Sequence, residues 1–141
     1  LSPAAIKKQF EALEKEMDEK HNGFYFTIRS LNEEKLLGFV HLNWIEWVHG
    51  TANLRIAIGS PEERGKGYGS QAMRLILRFA FHESNMHRLS ATLGADNVRA
   101  VSFLQKFGFV EEVRRRKALE RDGQFYDILH FGLLASEWKP S

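Results

Sequence analysis

The chain has 141 residues, of which 43% are hydrophobic, a size typical of one domain and sufficient to bury a substantial core. It has no cysteine, which excludes disulfides and thiolate metal sites, and no apolar run approaches the roughly 18 residues that span a bilayer. The net charge of +2 comes from intermixed acidic and basic residues apart from the run 114–117, and it does not argue for nucleic acid or a membrane as a partner. We therefore expect a single domain over residues 1–141, in a reducing cytoplasm.

The first part of the chain is predicted to form one helix and three strands. Ser2 and Pro3 start the helix, whose apolar residues recur at helical spacing until Asn22 and Gly23 end it. Runs of β-branched and aromatic residues then predict strands over 24–30, 36–48 and 51–59. We interpret the first two strands as a hairpin, and Pro61 ends the third because proline cannot continue a ladder.

The second part is predicted to alternate helices and strands. A helix follows the glycine-rich segment 64–69, with its apolar face at Ala72, Leu75, Ile76, Phe79 and Ala80. A short strand over 87–93 leads to a third helix, which Asn97 caps and Gly108 closes. Strands over 109–120 and 124–134 then meet at Asp122 and Gly123, a pair suited to tight hairpins. The order predicts an α/β fold, with helices on the faces of one mixed sheet.

The glycine-rich segment has the composition of a phosphate-binding loop. Gly65, Gly67 and Gly69 lie between a strand and a helix, where backbone N–H groups and the helix dipole favour an anion, and Arg64 and Lys66 add positive charge. The alternative is a turn that only connects two elements. The spacing excludes a nucleoside triphosphate loop, and it excludes a dinucleotide fingerprint because the third glycine comes one residue early.

Two motifs together resemble one enzyme family. Arg64-x-x-Gly67-x-Gly69 resembles the pyrophosphate signature of the GNAT acetyltransferases, and Asn97-x-x-Ala100, followed by a Gly-Phe ending at Phe109, is similar to that family's second block. The turn at residues 122–124, with Asp127, resembles the RimJ/RimL-type branch, which modifies protein N-termini or small amines. The resemblance implies a mostly antiparallel twisted sheet with helices on both faces. It also implies a transferase that moves acetyl from acetyl-CoA to a primary amine, such as a protein N-terminus or a polyamine, by direct attack.

The resemblance further implies which residues hold acetyl-CoA. Backbone groups of Ile56, Ala57 and Ile58 would pair with the pantetheine arm at a point where the neighbouring parallel strand diverges. The pyrophosphate would be held by Gly65, Lys66, Gly67, Tyr68, Gly69 and Ser70, beside Arg64. Asn97 would bond the pantetheine or phosphate region, or act only as a helix cap. Phe103 and Lys106 would lie along the adenosine, although Phe103 is also explained by ordinary packing.

The chain departs from the family at both proton-transfer positions. Leu104 replaces the tyrosine that many members use to protonate the CoA thiolate, and Asn53 replaces a glutamate near the start of the third strand. These losses motivate an alternative hypothesis, a CoA-binding sensor or interaction module without catalysis. The remaining candidates for the base are Glu46, His41, His49, Tyr126, Asp127 and His130, each of which is also explained as a solvated residue. The histidines show no metal spacing, so no metal is expected.

Three further features carry structural expectations. Trp44 and Trp47 fall on opposite faces of a strand, so we expect one in the core and the other at the acceptor site or a homodimer contact. The basic run 114–117 is interpreted as a solvated strand edge, because no aromatic residue is interleaved for base stacking. The chain opens with a helix where relatives open with a strand. That strand is therefore expected ahead of residue 1, unless another element covers the sheet edge.

Overall fold

A computed structural model describes residues 23–29, 36–58 and 67–140, and the first predicted helix lies outside these ranges. The described strands form one six-stranded sheet in the order β1-β2-β3-β4-β6-β5. The strands are β1 (Phe24–Arg29), β2 (Leu36–Glu46), β3 (Thr51–Ile58), β4 (Arg88–Gly94), β5 (Val110–Arg121) and β6 (Gln124–Leu134). The helices are α1 (Tyr68–Arg78), which continues into a π-helical turn (Phe79–Glu83), and α2 (Val98–Lys106); a 3-10 turn (Ala135–Glu137) follows β6.

The sheet is mixed, and its single parallel pair within the described residues lies in the middle. β1 pairs with β2, β2 with β3, β4 with β6 and β5 with β6, all antiparallel. Only β3 and β4 run parallel, joined by the crossover that contains α1. The predicted mostly antiparallel mixed sheet is therefore confirmed.

One hydrophobic core joins the sheet to both helices. The sheet contributes Phe26, Ile28, Leu89, Phe131 and Leu133, each at most 1% exposed. From α1 come Met73 and Leu77 as well as the expected Ala72 and Ile76, whereas Leu75 is only partly buried. Burying each large apolar side chain contributes about 1.5–3 kcal/mol, so this core fixes α1 and α2 against the same sheet face.

Local sequence signals fix the ends of α2 and the β5–β6 turn as predicted. The Asn97 side chain accepts a hydrogen bond from the Ala100 N–H at 3.2 Å, which caps α2. Gly108 follows the helix with φ +93°, a left-handed conformation that glycine adopts without strain. Asp122 and Gly123 both have positive φ, +53° and +78°, as a type I′ hairpin turn requires.

Strand β2 ends in a bulge that the sequence did not reveal. It stops at Glu46, two residues earlier than predicted, and its register shifts between Asn43 and Glu46. Trp44 sits in the bulge with φ +51° and is 70% exposed, while its neighbour Ile45 is only 5% exposed. Trp47 lies in the following turn and is 49% exposed. The prediction that one tryptophan is core was wrong, because the bulge breaks the alternation of side chains between faces.

The β5–β6 hairpin extends beyond the rest of the sheet. β6 pairs with β4 only from Ile128 to Leu134, so the outer part of the hairpin is a two-stranded ribbon. The basic run 114–117 lies on the outer strand β5 and is exposed, as expected of a solvated edge. A register shift between Arg115 and Leu119, with Lys117 at φ +51°, replaces the regular alternation that the run predicted.

Candidate functional site

The parallel strands β3 and β4 diverge and leave a gap in the sheet. They pair at three positions, Thr51 with Arg88, Ala52 with Leu89 and Asn53 with Ser90. Beyond Asn53, β3 continues for five residues and remains paired with β2 on its other side. Ile56, Ala57 and Ile58 therefore have a backbone edge on the gap with no strand partner from β4. Such an edge can hydrogen-bond an extended ligand as if it were another strand.

The amino-terminal end of α1 follows the carboxyl end of β3. The helix begins after Gly67, which has φ +84° and, as a glycine, offers no side chain to cap it. The first N–H groups of a helix have no partner within the helix, so those of Tyr68, Gly69 and Ser70 are available to an anion. A Cβ built on Gly67 meets no atom of the described part of the chain within 4 Å, so none of those residues fills the space beside this helix end. Arg64, Gly65 and Lys66 lie outside the described residues.

Contacts between α1 and α2 bring several predicted residues together. Lys106 Nζ donates to Ser70 Oγ at 3.2 Å, which links the last turn of α2 to the first turn of α1. The Lys106 ammonium also lies 5.7 Å from the centre of the Phe107 ring. Phe103 is partly buried and packs edge-on against Phe107, with ring centres 5.2 Å apart. Asn97 serves as the cap of α2, and its side chain is already bonded to the backbone.

A basic cavity of about 700 Å³ lies between α1, the end of α2 and the chain after β6. Its cationic lining residues are Arg74, Arg78, Lys106 and Lys139, beside His82, and its aromatic ones are Phe107 and Trp138. The single acidic lining residue, Glu137, accepts a hydrogen bond from the Leu134 N–H at 2.9 Å. This excess of cations beside aromatic rings suits a phosphorylated ligand with a planar group.

Two arginines of this cavity, Arg74 and Arg78, were not among the site residues predicted from the sequence. Ser70, Arg74 and Arg78 recur every four residues on α1, so they share one face of the helix. In the sequence, that face resembles the ordinary solvated side of an amphipathic helix. The sequence did contain one useful signal, which is that Arg74 and Arg78 lie four and eight residues after Ser70. Ser70 was already assigned to phosphate binding.

Asp127, one of the candidate bases, is held in ionic contacts. Its carboxylate accepts hydrogen bonds from the Lys117 N–H at 3.0 Å and from Arg114 Nη1 at 2.8 Å. These two donors lower the pKa of Asp127, with the Lys117 N–H contributing most. Arg114 also pairs with Glu111 at 3.1 Å. Asp127 therefore anchors the bulge of β5, which accounts for the residue without a catalytic role.

The other candidate bases lie on strands β2 and β6 and in the turn after β2. Glu46 and His49 are exposed at the turn after β2, where the Glu46 carbonyl accepts from the His49 N–H at 3.0 Å. His41 is partly buried on β2, with its ring 5.1 Å from that of Tyr25. Tyr126 lies on β6 beyond its pairing with β4. His130 pairs in register with Thr92 of β4, the strand that borders the gap.

The two positions where the family carries its acid and base are non-ionisable here. Asn53 stands at the last paired position of β3, and its amide Nδ2 donates to Asn43 Oδ1 at 2.9 Å. Leu104 is 5% exposed and belongs to the core. Within residues 23–29, 36–58 and 67–140, no group of three or more His, Asp or Glu residues is arranged to hold a metal ion. None of the helices described there is long and apolar enough to cross a membrane.

Comparison with known proteins agrees with this architecture. The acetyltransferase (GNAT) domain family matches residues 1–110, so the chain belongs to the GNAT acetyltransferases. The spermidine N(1)-acetyltransferase of Vibrio cholerae is 28% identical over 106 residues, 75% of this chain and 61% of that protein. YdaF of Bacillus subtilis, a putative ribosomal N-acetyltransferase, is 28% identical over 109 residues, 77% of this chain and 59% of that protein. The chain thus spans about three fifths of the length of these two relatives.

Solved structures confirm the GNAT fold. A crystal structure of spermidine N-acetyltransferase from Vibrio cholerae in complex with CoA and spermine superposes with a TM-score of 0.77 at 25% identity. That superposition covers 92% of this chain and 76% of the other. Because relatives named for polyamines and for ribosomes both match, assignment to the RimJ/RimL branch stays a prediction.

Proposed function

We propose that this chain is the catalytic domain of an N-acetyltransferase that moves acetyl from acetyl-CoA to a primary amine. The observation that carries the proposal is the gap between β3 and β4, which leads to the uncapped amino-terminal end of α1. The extended pantetheine arm of acetyl-CoA would pair with the backbone edge of β3 in the gap, and its pyrophosphate would accept hydrogen bonds from the N–H groups at the helix end. Membership of the GNAT family supports the same ligand.

The described residues suggest how acetyl-CoA would lie. The pantetheine arm would pair with the backbone of Ile56, Ala57 and Ile58. The pyrophosphate would accept hydrogen bonds from the N–H groups of Tyr68, Gly69 and Ser70, with Arg64, Gly65 and Lys66 completing the loop as the family signature implies. The adenosine and its 3′-phosphate would then approach Phe103 and Lys106 and the rim of the basic cavity at Arg74.

The reaction is a direct transfer between two bound substrates. The amine nitrogen attacks the thioester carbonyl, the C–N bond forms, the C–S bond breaks, and the sulfur leaves as the CoA thiolate. A thiol has a reference pKa of about 8.5, so the thiolate is a tolerable leaving group at neutral pH without an acid at Leu104. Holding both reactants in the gap can supply much of the rate.

We favour a polyamine as the acceptor, and a protein N-terminus is the second candidate. The support for a polyamine is the likeness to spermidine acetyltransferases in sequence and in structure. The support for a protein N-terminus is the likeness to a putative ribosomal N-acetyltransferase. The exposed side chains of Trp44 and Trp47 suit either an acceptor site or a contact in a homodimer. The homodimer and the cytoplasmic location stay predictions.

The test is turnover of acetyl-CoA by the purified chain, followed by thiol release, with spermidine, spermine and short peptides that carry a free N-terminus. We expect spermidine or spermine to be acetylated in preference to the peptides. Calorimetric binding of acetyl-CoA without turnover of any amine would instead support the sensor hypothesis. Absence of both binding and turnover would contradict the proposed function.

A further inference from the structure

A short polar row borders the gap on the sheet face opposite the helices. On β4 and β6, Ala91, Leu129 and Phe131 are buried in the core beneath the helices, at 5%, 2% and 0% exposure. Side chains alternate between faces along a strand, so their neighbours Thr92 and His130 face the other way. Thr92 lies two residues beyond Ser90, the last residue of β4 that pairs with β3. Thr92 therefore stands at the edge of the gap, with His130 directly beside it.

The two side chains are in contact. Thr92 Oγ1 lies 3.0 Å from His130 Nδ1, and the residues are direct cross-strand partners. This hydrogen bond occupies one ring nitrogen and fixes the plane of the imidazole. When Nδ1–H is the donor, Nε2 carries the free lone pair that a general base requires.

We propose that His130, oriented by Thr92, accepts the proton that the amine loses during acetyl transfer. The proposal rests on the function proposed above. As the C–N bond forms and the C–S bond breaks, the proton of the attacking nitrogen passes to Nε2, the imidazole becomes imidazolium, and the electron pair of the C–S bond leaves with the thiolate. The Nδ1–H bond to Thr92 Oγ1 stabilises the imidazolium. His130 later returns the proton to water.

Among the described residues, the groups that share the sheet face of His130 are the alternatives for this role. Asn53 at the apex of the gap is an amide and is bonded to Asn43. The register places Val113 of β5 beside His130, so that side is apolar. The charged residues on the same face of β3, β4 and β5 are Arg55, Arg88, Glu112 and Arg115. The register also places His41 and Glu46 of β2 and Tyr126 of β6 on this face. Pairing with Arg88 lowers the pKa of Glu112 and keeps that carboxylate ionised at neutral pH, so the variants of His130 and His41 decide which imidazole accepts the proton.

The test is the pH dependence of kcat/KM for the chain with its best amine, in the parent and in His130→Gln. In the parent, kcat/KM should rise with pH along a limb that ends in a plateau, because only the neutral imidazole can accept the proton. His130→Gln should lower kcat by about 10²-fold and lose that limb, with KM for acetyl-CoA little changed. His87→Gln, at an exposed histidine immediately before β4, is the matched control and should keep both the rising limb and kcat.

A second pair of variants tests the orienting hydrogen bond. Thr92→Val removes the hydroxyl at similar volume and should lower kcat by roughly tenfold, whereas Thr92→Ser should restore it. These variants keep the imidazole, so they also decide the question if His130→Gln does not fold. An active parent whose His130→Gln variant is folded and keeps kcat within twofold would overturn the proposal, as would loss of the limb in His41→Gln instead. A parent that acetylates no amine would contradict the proposed function itself.

Discussion

Asn53 of β3 and Ser90 of β4 are the last pair of neighbours before the two parallel strands separate. The antiparallel pair β4–β6 stays in register for seven residues from Arg88 to Gly94, so the separation is confined to one side of β4. The gap therefore opens in the middle of the sheet without loosening the strand that borders it. One wall of the gap is the backbone edge of β3. The other wall is β4, which is paired with β6 on its far side.

Gly67 should be needed for acetyl-CoA more than for the fold. Gly67→Ala places a side chain in the open space at the start of α1, where the pyrophosphate is proposed to bind. Gly123 is a matched control, because it also has positive φ and a Cβ there also meets no atom within 4 Å. Both alanine variants should lose about 1 kcal/mol in urea unfolding, but only Gly67→Ala should raise KM for acetyl-CoA. Equal KM values in the two variants would show that the loop is only a connector.

The basic cavity should recognise the 3′-phosphate of CoA. Arg74 lies on its wall, with the guanidinium 5.9 Å from the centre of the Phe107 ring. Arg74→Ala should raise KM for acetyl-CoA roughly tenfold, since a hydrogen bond to a charged group contributes about 1.5–3 kcal/mol. KM for 3′-dephospho-acetyl-CoA should be unchanged. Arg116→Ala on the exposed edge of β5 is the control, and an equal effect on both cofactors would place the phosphate elsewhere.

Leu104→Tyr should destabilise the fold instead of supplying an acid. The side chain is 5% exposed in the core, and added volume in a packed core costs about 1–3 kcal/mol. Chemical denaturation of the variant measures this loss. Val98→Tyr, at the exposed start of α2, should leave stability nearly unchanged. A stable Leu104→Tyr variant with higher turnover and a falling limb near pH 10 would mean that this residue borders the thioester after all.

Asp127 should stabilise the fold only while it is ionised. Its pKa is lowered in the folded state by the Lys117 N–H and by Arg114, so its contribution is present above about pH 4 and is lost as pH falls through the folded pKa. Asp127→Asn should therefore unfold at a lower temperature than the parent at pH 7, and the difference should shrink below about pH 4. Asp122→Asn, in the turn of the same hairpin, is the control for replacing a carboxylate with an amide. A constant gap between parent and Asp127→Asn at every pH would contradict this role.

The features predicted correctly from sequence depend on neighbouring residues. Asn97 bonds a backbone group three residues away, and Gly108 and Gly123 take conformations set by their own backbone. The glycine-rich segment and the Asn97 block could be recognised because each is a contiguous motif. These signals were sufficient to predict the strand order along the chain and the family.

The features that sequence did not reveal depend on register between distant segments. The contact of Thr92 with His130 joins residues 38 apart and exists only because β4 and β6 pair in one particular register. The bulge at Trp44 has no distinctive local sequence, yet it reverses which side chain is buried. The arginines on α1 line a cavity only because the chain after β6 forms its other side, far from them in sequence.

The outer part of the β5–β6 hairpin should unfold locally more often than the rest of the domain. Among the described strands, each strand there pairs only with the other, and two-stranded ribbons are marginally stable in water. Further ties of this ribbon are the Ala95 N–H bond to the Asp127 carbonyl at 2.9 Å and the ion pair of Arg121 with Asp96 at 2.6 Å. Amide hydrogens of residues 119–126 should therefore exchange with solvent through local fraying, while the β4 amides that donate to β6 should exchange only when the whole domain unfolds. The strand that borders the gap would thus keep its shape through many openings of the adjacent ribbon.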